Sequence, residues 1–279
     1  MIFVTGASGN VGSAVVAELT RCQALVRIGV NESDSTVDGV EVRHFDFLDR
    51  RTFQSAVEGC RAVFLMRPPA ISNTKATLNV LVDVARRSGV TQIVFLSVAG
   101  AGANPLVPHH AVERHLRAGT SGWTILRPGF FAQNLGGAYR NDIRMDNRLY
   151  VPAGASRVAF IDVRDIAEVA ANALTAPEAH FERTHSLTGP EALSFAEIAT
   201  LLSEELGRDI RYQPASVAGY IAHLYRTGMP AIQMVVQTLL HVGLRFGQAQ
   251  GVSLELQALL GRNPRTMCEY IRDHRALWL

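Results

Sequence analysis

The feature that most constrains the fold is a glycine-rich segment within the first twelve residues. Residues 5–12 read Thr-Gly-Ala-Ser-Gly-Asn-Val-Gly, and they lie between an apolar run at 2–5 and a segment of helical spacing at 11–19. A strand, a glycine turn and a helix in this order are typical of the first unit of a parallel α/β sheet. The sequence therefore predicts that a sheet domain begins at the N-terminus.

The first half of the chain continues this alternation of short apolar runs and helical patterns. Further strands are predicted at 24–30, 40–45, 62–66, 91–97 and 123–126. Helices are predicted between them at 51–57, 74–87 and 111–118. Alternation of this kind indicates βαβ units, and the fully apolar runs are typical of strands that are covered on both faces. The predicted fold class is α/β, a doubly wound parallel sheet of the Rossmann type.

The pattern changes after Arg127-Pro128-Gly129, where residues 130–157 are irregular and mixed. A helix is predicted from 162 to about 174, strands at 185–187 and 209–212, and mainly helical structure from 214 onward. Asp162, Ser194 and Asn263 are the predicted helix N-caps. We therefore predict a dinucleotide-binding domain at 1–155, to which 160–190 return, and a smaller cap domain at 191–279.

Composition excludes several classes of protein. The 279 residues carry a net charge of +2, which gives no bulk electrostatic reason to expect nucleic acid or an anionic membrane as a partner. The longest nearly apolar run, 93–103, is too short to span a bilayer, and no basic region precedes the first apolar run as it would in a signal peptide. Cys22, Cys60 and Cys268 lack metal-ligand spacing, so we expect reduced thiols, a cytoplasmic protein and no metal.

The glycine turn has the features of a phosphate-binding site. Gly6 suits a tight turn, Gly9 allows a pyrophosphate to approach the backbone, and Gly12 allows the helix to pack closely on the sheet. Free N–H groups at the start of the helix would face the phosphates, aided by the helix dipole. The predicted phosphate-binding residues are Gly6, Ala7, Ser8, Gly9, Asn10, Val11 and Gly12.

The choice between NAD and NADP depends on the end of the second strand, where a carboxylate favours NAD and an arginine favours NADP. Asn31 is neither. Glu32 lies about 20 residues after Gly12, at the offset expected for a carboxylate that binds the ribose, but it also fits a solvated loop charge. The sequence leaves both cofactors open.

Two further strand ends carry candidate cofactor contacts. Asp46, followed by Phe47, can accept from the adenine amino group or cap the next helix. Met66, Arg67 and Pro68 follow the fourth strand, at the edge of the sheet where ligands of such folds bind. Arg67 is thus a candidate contact for the cofactor phosphates or ribose, and the alternative is a surface arginine.

Several segments together resemble the NmrA-like group of atypical short-chain dehydrogenases. The resemblance covers most of residues 1–210 and is strongest in Trp-Thr-Ile-Leu-Arg-Pro-Gly-Phe-Phe-Ala-Gln-Asn at 123–134. The other matching segments are 2–12, 63–69, 93–100, 109–113, 161–167 and 187–190. It implies a Rossmann domain with a small C-terminal domain, and NAD(P)H-dependent reduction of quinones, dyes or secondary metabolites. Other members of the group are dinucleotide sensors without turnover.

The resemblance also implies roles for individual residues. Asn31 occupies the place of an arginine that meets the 2′-phosphate in many relatives, so NADPH is favoured only by analogy. Ser97, Pro128, Gly129 and Phe130 would lie near the nicotinamide. Gly100, Phe131 and Asn134 would lie on the substrate side, with Gly100 also beside the nicotinamide.

The usual Tyr-x-x-x-Lys dyad of short-chain dehydrogenases is absent, because position 71, four before the single lysine Lys75, is Ile. By the resemblance His109 occupies the lysine position, and His110 would take it after a slip of one residue. An imidazole there can bind the ribose or pass a proton at neutral pH. The alternative is a surface histidine pair at the start of a helix.

Two functions fit these observations. The first is an NAD(P)H-dependent reductase that transfers hydride to a small conjugated acceptor such as a quinone, enone or iminium compound, since these take hydride first and a solvent proton afterwards. The alternative is a non-catalytic dinucleotide sensor that binds a protein partner. Residues 217–260 are a substrate lid or a partner surface, and we favour the lid. A homodimer is a further expectation.

Overall fold

A computed structural model describes residues 1–31 and 39–279. Glu32 lies outside the described residues. The strands, in chain order, are β1 (Ile2–Val4), β2 (Val26–Val30), β3 (Glu41–His44), β4 (Ala62–Met66), β5 (Gln92–Leu96), β6 (Gly122–Pro128), β7 (Phe130–Phe131), β8 (Arg148–Leu149), β9 (Arg157–Val158), β10 (Phe160–Ile161), β11 (Arg183–Leu187), β12 (Leu193–Ser194) and β13 (Arg211–Tyr212). The helices are α1 (Asn10–Arg21), α2 (Phe53–Val57), α3 (Leu78–Arg87), α4 (Pro108–Arg117), α5 (Arg140–Asp146), α6 (Val163–Thr175), α7 (Phe195–Leu206), α8 (Val217–Arg226), α9 (Ala231–Leu244), α10 (Glu255–Leu260) and α11 (Met267–Asp273).

The first structural unit is built on a seven-stranded sheet. Its strand order is β11-β6-β5-β4-β1-β2-β3, and the pairs of neighbouring strands are parallel. The strand order reverses between β1 and β4, and in such sheets ligands bind beyond the carboxyl ends of the strands at that point. The predicted doubly wound α/β fold is confirmed.

Burial of apolar side chains on both faces holds this sheet together. β1, β4 and β5 are buried along most of their length, as expected for strands covered by helices on each side. The core of one face includes Phe3, Phe53 and Phe95 from the strands and from α2. Helices α1 and α6 pack against each other, and α6 also packs on β4 and β5.

The chain divides into two compact units. The first unit comprises Met1–Pro128, Val163–Leu187 and Ala258–Leu260. The second comprises Gly129–Asp162, Thr188–Gln257 and Gly261–Leu279. This division differs from the predicted domains at 129–155, which group with the second unit because β7, β8 and β9 pair with β10, β13 and β12.

The second unit has its own apolar core. Aromatic side chains dominate that core: Tyr139, Phe160, Phe195, Tyr270 and Trp278 are each at most 2% exposed. Two of the rings, Phe160 and Phe195, pack edge to face with centroids 5.6 Å apart. The buried indole N–H of Trp278 donates to the Leu135 carbonyl oxygen at 3.0 Å, so the polar group of this large side chain is satisfied.

The observed hydrogen bonds test two of the predicted helix N-caps. Ser194 caps α7 as expected and forms a reciprocal capping box with Glu197. The cap predicted at Asn263 is wrong, because the last helix begins at Met267, where Thr266 and Glu269 form a second capping box. Two backbone N–H groups are satisfied there at once, which the lone Asn263 cannot do. The Asn263 side chain instead accepts a hydrogen bond from Gln257 at 2.9 Å.

Candidate cofactor and active site

The backbone of the glycine turn requires glycine at two positions, 6 and 12. Gly6 has φ of +66°, and a Cβ there would also collide with the Met66 side chain. A Cβ on Gly12 would collide with the Gly6 carbonyl oxygen, so the start of α1 can pack on the turn only if residue 12 is glycine. Both glycines therefore serve the shape of the turn itself.

Gly9 is different, because nothing in the protein demands its small size. Its φ is −89°, and a Cβ would come no closer than 3.4 Å to any neighbouring atom. The absent side chain instead leaves the backbone at the N-terminus of α1 uncovered by a Cβ. This observation fits a ligand that must approach the backbone there, as a pyrophosphate does.

The N-terminus of α1 also suits an anion. Gly9 is the N-cap residue, no side chain among the described residues caps the helix, and its first turn has no acidic residue. The first N–H groups of a helix have no partner inside the helix, and the helix dipole places partial positive charge on them. A dinucleotide phosphate would satisfy these donors, so the turn and the predicted ligand fit each other.

The side chain of the buried Thr5 forms two hydrogen bonds next to the turn. Thr5 donates its hydroxyl to the Phe64 carbonyl oxygen at 3.2 Å and accepts from the Met66 backbone N–H at 2.8 Å. These bonds join the carboxyl ends of β1 and β4 directly beneath Gly6. Sequence reasoning missed Thr5, although a polar residue at the end of an apolar strand was a usable signal.

Arg67, which follows β4, and His109, in the first turn of α4, form a pair. Arg67 Nε donates to His109 Nε2 at 3.3 Å, and Arg67 Nη1 bonds to the carbonyl oxygens of Pro68, Pro69 and Ile71 at 3.0, 3.2 and 2.6 Å. The His109 ring therefore carries its proton on Nδ1. Burial, and secondarily the charge of Arg67, lower the pKa of His109 to about 4, so the ring is neutral at physiological pH.

The other nitrogen of His109 is buried and has no hydrogen-bond partner among residues 1–31 and 39–279. A buried donor without a partner is costly and is commonly satisfied by a ligand or water. His110, in contrast, is half-buried and bonds through Nδ1 to the Ala101 carbonyl oxygen at 2.9 Å. The two histidines thus have separate environments, and only His109 contacts Arg67.

A buried carboxylate joins the ends of β5 and β6. Glu113 is fully buried; it accepts from the Ser97 hydroxyl at 2.6 Å and from two nitrogens of Arg127 at 2.9 and 2.5 Å. Arg117 adds a third partner at 3.1 Å. Burial acts to raise the pKa of Glu113, but hydrogen bonds from Arg127 and Ser97 outweigh it and leave the pKa below its usual range.

This network fixes the orientation of the Ser97 hydroxyl. Because the Ser97 hydroxyl donates to Glu113, its oxygen lone pairs remain to accept from a ligand. Pro128 is buried at the end of β6, where its carbonyl oxygen accepts from Ala99 at 3.3 Å. Gly100 has φ of +78° and is exposed, with open space where a Cβ would lie.

At the other cofactor positions the structure favours local roles. Asp46 accepts from the Leu48 backbone N–H at 2.8 Å, and Phe47 packs in the core 4.8 Å from the Phe45 ring. Asp46 therefore caps a turn, whereas the next helical segment is capped by Asp49, which accepts from the Arg51 backbone N–H; the adenine contact of Asp46 stays a prediction. Asn31 is exposed after the carboxyl end of β2.

The remaining predicted site residues lie in the second unit. Phe130 is half-buried in β7, where its ring packs edge to face on Phe160 and on His241, with centroids 5.6 and 5.8 Å away. Gly129, Phe131 and Asn134 are also half-buried.

A buried tyrosine–histidine pair was not anticipated from the sequence. The Tyr139 hydroxyl is hydrogen-bonded to His241 Nε2, and His241 Nδ1 lies 2.6 Å from the Gln237 carbonyl oxygen. The carbonyl can only accept, so Nδ1 carries the proton and Nε2 accepts from Tyr139. Burial lowers the pKa of His241 to about 4 and raises that of Tyr139 well above its ordinary value.

A model of the NmrA-like family matches residues 1–271. The chain belongs to the NmrA-like family. The NAD(P)H azoreductase of Xenophilus azovorans is 33% identical to this NmrA-like protein over 286 residues, covering 99% of this chain and 98% of that one. The agroclavine dehydrogenase of Claviceps fusiformis is 30% identical, covering 100% and 98%.

A solved structure of the triphenylmethane reductase of Citrobacter sp., complexed with NADP(H), has a TM-score of 0.86 to this NmrA-like protein. It is 26% identical, and the match covers 98% of this chain and 99% of that one. Membership of the family, together with relatives named as reductases and dehydrogenases, confirms the oxidoreductase class that the sequence predicted.

Two kinds of feature are absent from the described residues. No helix within 1–31 and 39–279 is both long and apolar enough to cross a membrane. The same residues contain no cluster of three or more His, Cys, Asp or Glu side chains arranged to hold a metal ion.

Proposed function

We propose that this protein is an NAD(P)H-dependent reductase that transfers hydride to a small conjugated acceptor, such as a quinone, an enone or an iminium compound. The observation that carries the proposal is the glycine turn, in which no neighbour requires Gly9 to be small, beside a helix N-terminus without a side-chain cap. The reductases and dehydrogenases among its relatives support the same reaction type.

Different residues of the first unit would bind different parts of the cofactor. The backbone from Gly6 to Gly12 would hold the pyrophosphate, and Arg67 would meet cofactor oxygens at the end of β4. Ser97 would accept a hydrogen bond near the nicotinamide, and Pro128 at the end of β6 would lie beside it. When bound, the reduced nicotinamide supplies the hydride.

The state of His109 supports an acceptor that needs no protein acid. Its ring is neutral, and the nitrogen that accepts from Arg67 has no proton to give. A quinone or an iminium compound can take hydride first and a proton from water afterwards. A simple ketone needs a proton donor as hydride arrives, and the Tyr-x-x-x-Lys dyad that would supply it is missing.

The first test is calorimetric titration with NADPH, NADP⁺, NADH and NAD⁺, followed by cofactor oxidation with a panel of quinones, enones and iminium compounds. We expect NADPH and NADH to bind with comparable affinity, because Asn31 neither pairs with a 2′-phosphate nor repels it. Failure of all four forms to bind would overturn the proposal. Tight binding without turnover across the panel would support the dinucleotide sensor instead.

A glycine variant makes the titration specific to the turn. Gly9→Ala should fold normally, since the protein has room for the methyl group, yet lose at least about tenfold in cofactor affinity because that group occupies the phosphate's place. Gly251→Ala is the matched control, because Gly251 likewise has room for a methyl group and lies outside the turn. Equal affinities of the two variants would contradict the assignment of Gly9.

We also propose a cytosolic location and assembly as a homodimer. Cys22, Cys60 and Cys268 are unpaired thiols, as is usual in a reducing compartment. Exposed apolar side chains on α9 support the dimer.

A further inference from the structure

Helix α9 presents its apolar side chains to solvent. Five of them recur at the spacing i, i+3, i+4, i+7, i+8 and are between 51 and 80% exposed. They are Ile232, Val235, Val236, Leu239 and Leu240. A helix on the surface of a globular protein normally turns such a stripe toward the core. The outward stripe of α9 is therefore reversed from the usual arrangement.

The opposite side of α9 is the buried one, and it carries polar groups. Thr238 and His241 are buried, and His241 bonds to Tyr139. Gln237 donates to the Tyr220 hydroxyl at 3.3 Å. Rotating the helix to bury its apolar stripe would break these bonds, so the hydrogen bonds fix the helix in the orientation that exposes the stripe.

Helix α8 and Phe246, the second residue after α9, extend this surface. We define the α8/α9 face as the exposed apolar side chains of both helices and of Phe246, which follows α9. Its members are Val217, Ile221, Tyr225, Ile232, Val235, Val236, Leu239, Leu240 and Phe246. Beside them is a groove of about 510 Å³, lined by Ala218, Ile221, Ala222, Tyr225, Arg226 and Met234.

The size of the α8/α9 face is that of an interface. Its side chains together offer on the order of 800 Å² of apolar surface, about one partner's share of a standard interface. The largest apolar patch on a typical monomer is only about 300–600 Å². A face of this size is therefore expected to be covered when the protein functions.

The charges near the face identify the partner. Residues 214–251 contain no Asp or Glu, and Arg226 and Arg245 are their only Lys or Arg residues. A helix that binds an anionic membrane surface has a polar side rich in Lys and Arg, which this segment lacks. With so few charges, the face also offers nothing that would select a charged protein.

We propose that the α8/α9 face binds the same face of a second copy of this chain. In a two-fold symmetric dimer each surface meets its own duplicate, so an apolar stripe with almost no charge complements itself. Two α9 helices can pack by interlocking stripes of this spacing, with the partner's side chains entering the groove beside α8. This assigns residues 217–246 to assembly, in place of the lid that the sequence favoured.

Analytical ultracentrifugation of the full chain across a range of concentrations tests the proposal. The wild-type protein should sediment at twice the 30.4 kDa chain mass. The double variant Val235→Glu/Leu239→Glu should weaken self-association by on the order of 100-fold, because the interface would bury unpaired carboxylates. Leu25→Glu is the control, since Leu25 is 69% exposed and lies outside the face.

Cross-linking locates the two-fold axis. Val236 lies in the middle of the stripe, so Val236→Cys should form a disulfide with its own copy in a Cys22→Ser background, whereas Leu25→Cys should not. A monomeric wild type would overturn the proposal, as would a dimer that survives the double glutamate variant. A monomer that sediments with phosphatidylcholine vesicles would show a lipid surface as the occupant and would equally overturn it.

Discussion

At the scale of single residues, the pairing of Arg67 with His109 determines which proton chemistry is available. The guanidinium supplies the positive charge, and the imidazole is held neutral with its Nε2 occupied. A lysine in the usual dyad combines charge and donor in one side chain, whereas here the charge lies on Arg67. We therefore propose that His109 positions Arg67 and that catalysis does not use it as an acid.

Substitutions of His109 distinguish positioning from acid–base catalysis. His109→Phe should raise KM for NADPH by about tenfold, because Arg67 loses a hydrogen bond to its charged group, while kcat stays within about threefold. His109→Gln should restore KM, since its amide oxygen can accept from Arg67. Steady-state kinetics from pH 5 to 9 provide both constants. Loss of a pH-dependent limb of kcat in both variants would instead identify His109 as the acid.

The sequence predicted some of these residues and not others, for a physical reason. The requirements at Gly6 and Gly12 are local, because they follow from the turn and the helix next to them. The contact between Arg67 and His109 joins side chains 42 positions apart. It depends on how the loop after β4 and the first turn of α4 direct their side chains, which no spacing in the sequence predicts.

At the scale of secondary-structure elements, Glu113 connects α4 to the ends of β5 and β6. Its carboxylate holds Ser97 and Arg127 in one buried network. Of the partners of Glu113, only Arg117, four residues further along α4, is local in sequence. The two contacts that bear on the site cross from one element to another.

Neutralising that carboxylate should destabilise the protein. Glu113→Gln leaves Arg127 without its bidentate partner and should lower the free energy of unfolding by about 2–4 kcal/mol. Urea denaturation followed by circular dichroism measures this loss. Glu58→Gln is the control, because Glu58 is an exposed carboxylate in a loop, and it should change stability by less than about 0.5 kcal/mol. Equal effects of the two variants would refute the role of the network.

Prediction of elements succeeded where patterns are long and failed where they are short. β4 and β5 are five-residue apolar strands, and their runs predict them directly. In residues 130–157 the strands are only two residues long, below the length at which period-two alternation can be recognised. Their pairing is decided by partners distant in sequence.

At the scale of the whole molecule, the two units are interleaved along the chain. After Gly129–Asp162 in the second unit, Val163–Leu187 return to the first unit, because β11 pairs with β6 at the edge of the large sheet. The sequence predicted this return, at 160–190. The grouping of 129–155 with the second unit was not predicted, because its two-residue strands β7 and β8 pair with strands distant in sequence.

Buried neutral histidines should make the whole protein sensitive to mild acid. Burial is the main cause that holds the pKa of His109 and of His241 at about 4, against about 6.5 in an unfolded chain, and burial also lowers that of His180. Between pH 6.5 and 4 the unfolded state binds more protons than the folded state, so stability falls as the pH falls. His109 and His241 should each lower the free energy of unfolding by about 1–2 kcal/mol as the pH falls from 7 to 5.

Urea denaturation at pH 7 and at pH 5 measures this dependence, and a matched pair of variants assigns it. His109→Gln should flatten the loss by about 1–2 kcal/mol, because glutamine does not titrate. His44→Gln should leave the loss unchanged, because His44 is exposed. Carboxylates such as Glu113, whose pKa is lowered, lose their contribution only below about pH 4.5 and do not affect this window. If all three proteins lose the same stability between the two pH values, the dependence does not originate at His109.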